Sequence, residues 1–205
     1  MYSKKEEFLN TLTHFFGLIL TIIGIPFIFY FNNNHTEYSL FSIILFLFGL
    51  LSVYLSSTIY HYTKNNKLKS VFRKIDHISI FYLILGSYAP VCLVTLLDFS
   101  GITIFLIVFT LAIIGTILKV FFRGKIEKAS LILYLVMGWL IISDISTLFS
   151  LIPIQGKILL AISGLSYTIG TLFYRSNKKY AHTIWHLFVL SGSITHYFFV
   201  IRYII

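Results

Sequence analysis

The sequence predicts an all-α integral membrane protein of seven transmembrane helices, and three observations carry that prediction. Of its 205 residues, 58% are hydrophobic and only 11% are charged, where a soluble domain carries about 25% charged residues. Uncharged apolar runs recur along the whole chain, each close to the ~20 residues that a helix needs to cross a bilayer. These runs are continuous instead of alternating, which excludes the strands of a membrane barrel. Finally, Lys and Arg collect in every second connection, the pattern of a chain threaded back and forth with its basic loops on one side.

The first span is placed at Leu12–Phe31, behind the charged start SKKEE. No cleavable signal peptide is expected there, because Glu6 and Glu7 separate Lys4 and Lys5 from the apolar run and no A-x-A site follows. The second span is Tyr38–Tyr62 and the third His77–Leu97, with Pro90 expected to kink the third. Between these two lies TKNNKLKSVFRKID, read as a basic loop. The fourth span is Gly101–Phe121. The fifth, Ala129–Leu151, is interrupted by Asp144, and Pro153 with a short turn separates it from the sixth, Gln155–Tyr174. Merging those two would give a stretch too long for one crossing. The seventh is Ala181–Ile205.

Of the 16 basic residues, 14 fall on the side of the N-terminal tail, namely Lys4, Lys5, Lys64, Lys67, Lys69, Arg73, Lys74, Lys119, Arg123, Lys125, Lys128, Arg175, Lys178 and Lys179. Only Lys157 and Arg202 fall on the other. The expected orientation therefore has a cytoplasmic N-terminus and an outside C-terminus. The same distribution accounts for the net charge of +9. It points to attraction for anionic inner-leaflet lipids and not to nucleic acid, since no binding module accompanies the basic loops. The single cysteine, Cys92, can form no internal disulfide and is read as a small packing residue. With no repeat, low-complexity tract or long linker, residues 1–205 are read as one helical domain of a multi-pass plasma-membrane protein.

Function then rests on polar groups embedded in the membrane, where an ionisable residue is a functional candidate. The topology predicts His61, Asp76, His182 and His186 at one depth near the cytoplasmic edge. In HTIWH, His182 and His186 stand four residues apart, on one helix face and about 6 Å apart along the axis. Two imidazoles so placed can chelate a zinc ion, and a third ligand from His61 would leave a fourth position open, as in catalytic zinc sites. Ligation by histidine alone suits zinc, with copper, nickel and iron as further options. The bland reading is a pair of interfacial histidines, and HTIWH lacks the Glu that follows the first His in H-E-x-x-H. Ser57 lies one turn before His61 on the same face. It either hydrogen-bonds a water or substrate at the metal or bonds back to its own helix. Asp76 also has two readings, as N-cap of the third span and as the carboxylate that orients or deprotonates the water.

These residues carry a resemblance. The set S-x-x-x-H at 57–61, D-H at 76–77 and H-x-x-W-H at 182–186 resembles the hemolysin III family, within the progestin and adipoQ receptor and alkaline ceramidase-like group of seven-span membrane proteins. Further similar stretches are EEFLNTLTH at 6–14, YLILGSYAP at 82–90, YLVMGW at 134–139, SYTIGTLFY at 166–174 and HLFVLSGSITH at 186–196. The resemblance implies a zinc ion near the cytoplasmic leaflet, held by His61, His182 and His186. Ser57 and Asp76 would stand beside the water that completes its coordination. It also implies hydrolysis of a lipid amide. Because the site is expected at headgroup depth, where an acyl chain could lie among the helices with its polar link at the metal, a lipid amide or ester is the expected substrate class and membrane lipids are the expected partners. In that mechanism Asp76 carries the proton to the leaving group while Ser57 helps to hold the oxyanion.

Other polar residues rank below these. His196 is about 15 Å along the helix from His186, too far to share its metal, and is read as a hydrogen-bonded interior histidine. His14 lines the same cavity without a partner at metal spacing. His77 is expected at the interface, Asp144 in an interhelix hydrogen bond, and His35 in a loop. Two rival functions stand beside the hydrolase. One is a receptor-like sensor that keeps zinc for structure, and the other is a cytolytic protein acting by membrane damage. A secreted pore former must travel through water, which so apolar a chain does poorly. A proton-coupled transporter would show carboxylates near the bilayer midplane and internal repeats.

Overall fold

Seven long helices account for nearly all of the computed structural model, which describes residues 2–122 and 126–205. Arg123 and Lys125, counted above among the basic residues, lie outside the described residues. The helices are α1 (Lys4–Tyr30), α2 (Ser39–Tyr62), α3 (Asn66–Thr95), α4 (Gly101–Phe121), α5 (Glu127–Leu151), α6 (Ile154–Tyr174) and α7 (Ala181–Tyr203), each long and apolar enough to cross a membrane. No strand occurs among the described residues. Five of the seven match the expected spans within two residues, and α1 and α3 begin earlier.

Both early starts have local causes. At α1, Ser3 and Glu6 form a capping box, with Ser3 N donating to Glu6 Oε2 at 2.9 Å and Glu6 N to Ser3 Oγ at 3.3 Å. Glu6 and Glu7 also place negative charge in the first turn, where the helix dipole favours it. At α3, the Asn65 side chain accepts from Lys67 N and Leu68 N, so most of the expected basic loop is helix. This corrects the N-cap reading of Asp76, which sits about three turns inside α3. Lys69 turns back from α3 to the end of α2, donating to the carbonyls of Tyr60, His61 and Thr63 at 3.1, 3.4 and 3.3 Å. A cation there satisfies the free carbonyls at the negative end of α2.

The α2–α3 pair is the closest in the bundle, and glycine explains why. A Cβ on Gly49 would lie 2.6 Å from the Tyr82 carbonyl oxygen, and one on Gly86 would lie 2.6 Å from that of Leu45. Small residues let two membrane helices touch backbone to backbone. Against α2 and α7, α1 turns a stripe of small and polar residues, Asn10, His14, Gly17, Thr21 and Gly24, while Phe8, Leu12, Phe15 and Ile22 face outward. On the other side α6 packs along α7.

Two helices are irregular within their length. After Pro90, which offers no N–H, α3 ends in a wide π turn, Val91–Thr95, and this is the form taken by the disturbance expected there. α5 is interrupted by a 3-10 segment, Leu140–Asp144. The Tyr88 hydroxyl fills the break, donating to Gly138 O at 3.1 Å and accepting from Ile141 N at 2.9 Å. Lipid offers no substitute for either bond. Tyr88→Phe is expected to orphan both backbone groups and cost about 2 kcal/mol, read as a lower unfolding temperature in detergent with helix content unchanged. Asp144 closes the same region by accepting from Ser100 and Thr147, which answers its expected role as a hydrogen-bonding residue.

α5 and α6 touch each other little. Trp139 Nε1 donates to Thr168 Oγ1 across the gap at 3.1 Å, while Gly138 and Gly164 face open space. Behind this gap lies a cavity of about 420 Å³ with mostly aliphatic and aromatic walls. It runs from His182 and His186 to His196.

Candidate metal centre

His61 closes α2 and His182 and His186 open α7, so the antiparallel threading of the bundle brings all three to one end. The ligand atoms of the three lie within 4.8 Å of one another. His182 Nε2 is 3.2 Å from His61 Nε2 and 3.1 Å from His186 Nε2. A tetrahedral zinc ion with Zn–N distances of about 2.05 Å sets its nitrogens about 3.3 Å apart, so the spacing suits such an ion. His61 and His186 are buried and His182 partly so.

The ring nitrogens facing away from this cluster are all-important to its chemistry. His61 Nδ1 is 2.7 Å from Glu7 Oε2, and the other Glu7 oxygen pairs with Lys69 Nζ at 3.0 Å. His186 Nδ1 is 3.2 Å from the Asn10 carbonyl oxygen and 3.1 Å from Thr13 Oγ1. A carboxylate and a carbonyl can only accept, so both Nδ1 atoms carry the proton and both Nε2 atoms present lone pairs to the cluster. The single Nε2 of His182 can donate to only one of them at a time. A cation bound to all three satisfies every lone pair at once. The residues present therefore fit a zinc ion, down to the carboxylate-backed histidine common at such sites.

Three residues that contact these histidines, Glu7, Asn10 and Thr13, were not assigned from the sequence. The signal for two of them is the spacing Glu7, Asn10, His14, which puts polar groups on one face of an otherwise apolar helix. Glu6 Oε1 accepts from Tyr180 N at 2.9 Å, tying the start of α1 to the turn before α7, where Tyr180 adopts a left-handed φ of 62°. Thr183 Oγ1 adds a bond to Asn10 Oδ1 at 2.6 Å. Above the cluster the Tyr2 ring stacks on His182, with centroids 4.9 Å apart. Partial burial pushes the Tyr2 phenol up to about 12, which keeps it a neutral hydroxyl at neutral pH.

Asp76 and Ser57 are both buried and both line the cavity beside His182 and His186. Ser57 Oγ makes no bond back to its own helix and stands beside the Asp76 carboxylate. His196 lies at the far part of the cavity, its Nε2 at 3.1 Å from Ser87 O, an interior histidine as expected. His14 packs against His186 with ring centroids 3.7 Å apart, outside the set of three donors. His77 departs from its expected interfacial place. It is buried, with Nδ1 3.4 Å from Glu127 Oε2 and 3.3 Å from Lys119 Nζ, in a charged group joining α3, α4 and α5.

A family model described as "Haemolysin-III related" matches residues 2–197. The chain belongs to the hemolysin III family. This hemolysin III protein is 38% identical over 205 residues to the "Hemolysin-3 homolog" of Bacillus subtilis, covering 99% of this chain and 96% of the other. It is 37% identical over 203 residues to "Hemolysin-3" of Bacillus cereus, covering 98% and 93%. Similarity extends to the "Monocyte to macrophage differentiation factor" of Homo sapiens, 28% identical over 206 residues, covering 97% and 84%. Together with seven apolar helices, membership makes the hemolysin III chain a multi-pass membrane protein.

Within this hemolysin III protein, Glu7 is the support most open to test. Glu7→Gln keeps the shape but removes the charge behind His61. If the cluster holds zinc, its affinity is expected to fall about 10- to 100-fold, measured by competition with a chromogenic chelator.

Proposed function

We propose that the protein is a zinc-dependent hydrolase of a lipid amide or ester, working at the cytoplasmic leaflet of the cell membrane. The observation that carries this reading is the position of the three-histidine cluster at the end of a cavity large enough for an acyl chain, with Asp76 and Ser57 in its wall. A volume of about 420 Å³ is that of a small-molecule site. The gap between α5 and α6 supports entry of the substrate sideways from the bilayer. Among the described residues, 12 of the 14 basic side chains lie on the histidine side, which supports a cytoplasmic orientation.

His61, His182 and His186 would hold the ion. A bound zinc ion supplies Lewis-acid polarisation of the scissile carbonyl and makes water acidic enough to attack near neutral pH. Asp76 takes the proton as water adds its oxygen to the acyl carbon, and delivers it to the leaving nitrogen or oxygen as that bond breaks. Ser57 Oγ donates to the carbonyl oxygen as negative charge builds there. The cavity walls hold the acyl chain and keep bulk water out. One water is consumed, and a fatty acid and an amine or alcohol are formed.

The test uses detergent-purified full-length protein. Zinc content is measured beside hydrolysis of fluorescent N-acyl and O-acyl lipids, before and after chelation. Chelator-sensitive release of fatty acid, restored by zinc, is the expected result. One zinc per chain with no turnover of any lipid removes the hydrolase and favours the sensor with structural zinc. The name of the Bacillus cereus relative raises a cytolytic reading, for which dye release from liposomes without lipid turnover is the distinguishing result.

A further inference from the structure

His14 is buried to 2% exposure, yet neither of its ring nitrogens has a hydrogen-bonding partner. The ring is held by the His186 ring at 3.7 Å and by the edge of Tyr54 at 5.2 Å, contacts that a phenylalanine would make as well. Burying an unpaired polar group costs about 1–3 kcal/mol, so the two nitrogens are worth keeping only if something meets them. His14 lines the cavity, and so does Ser57, whose hydroxyl stands beside the Asp76 carboxylate. One stands on α1 against His186 and the other on α2 one turn from His61. The two side chains therefore flank His186 and His61 where these line the end of the bundle.

We infer that His14, together with Ser57, forms a hydrogen-bonding subsite that reads the linkage of the lipid and takes an amide in preference to an ester. The inference rests on the lipid-substrate reading above. A neutral imidazole offers one N–H and one lone pair, and a serine hydroxyl adds a further donor. An amide linkage presents both a donor and an acceptor, whereas an ester presents acceptors alone. With an ester bound, the imidazole lone pair stays buried and unpaired, and that penalty makes the discrimination.

The experiment measures equilibrium binding of dodecanamide and methyl dodecanoate to the full-length protein in detergent, by displacement of a fluorescent fatty acid. Wild type, His14→Phe and His14→Asn are compared, with zinc content and lipid turnover read in the same preparations. The amide is expected to bind wild type about ten-fold more tightly than the ester, the scale of one buried hydrogen bond. His14→Phe should lose that preference with ester affinity and zinc content unchanged, and His14→Asn, which keeps a donor and an acceptor, should restore it. Equal affinity of wild type and His14→Phe for dodecanamide overturns the inference, and so does a parallel loss for both ligands that His14→Asn fails to restore. If His14 merely holds a water, the first of these results follows. Binding needs no turnover, so selective binding without hydrolysis sinks the hydrolase and leaves the subsite. Hydrolysis with unchanged amide binding in His14→Phe sinks the subsite alone.

Discussion

His186→Ala is expected to purify with almost no zinc, where wild type carries about one ion per chain if the three-histidine centre holds the metal. Apparent binding free energies at structural zinc sites are about 10–16 kcal/mol. Losing one of three protein ligands removes about a third of that, which is a loss of affinity between a hundred- and several thousand-fold. Elemental analysis after gel filtration reads this directly. His186 is buried and packed against His14, so alanine also opens a hole in the bundle. His182→Ala separates the two effects, because that ring is only partly buried and its removal disturbs packing less. Loss of zinc in both variants, with thermal unfolding preserved in His182→Ala, assigns the ion to the cluster. Full zinc occupancy in His182→Ala would place the ion elsewhere.

Asp76→Asn should do the opposite, keeping the metal and losing the reaction. The amide is isosteric with the carboxylate, and Asp76 is outside the set of three donors, so zinc content should match wild type. A general base typically contributes about 10²- to 10⁴-fold, and kcat should fall by that much with KM nearly unchanged. The backbone carbonyl of Asp76, which accepts from Ser79 Oγ at 2.6 Å, is untouched by the substitution. A fall in zinc content together with activity would mean that Asp76 supports the metal instead of moving the proton. Retention of both would remove it from the mechanism.

The helices were legible because a bilayer imposes one length and one composition on every crossing, and an uncharged run such as Gly101–Phe121 leaves little to decide. The juxtaposition of His61 with HTIWH was legible too, since alternating direction puts the end of α2 and the start of α7 at one face and a four-residue spacing aligns two rings. What escaped were the partners on α1. Glu7 and Asn10 sit in a segment whose charge and polarity read as the flank of a span, and nothing local says that they face inward. Asp76 was ambiguous because helix caps and catalytic acids use the same side chain. Asn65 resolved it by capping α3 first. His77 was misplaced because its neighbours Lys119 and Glu127 lie on other helices, and pairing across helices leaves no trace in local spacing.

The tie between Glu7 and His61, and that between Asn10 and His186, join the first helix to the second and the last. During synthesis the first two helices enter the membrane long before residues 181–203 leave the ribosome. The histidine cluster is therefore completed only after α7 has followed the other six helices into the bundle. An arrested chain that lacks the last helix would carry a carboxylate-backed histidine with nothing to share. Any ion that needs all three histidines could then be held only by a chain that has threaded α7.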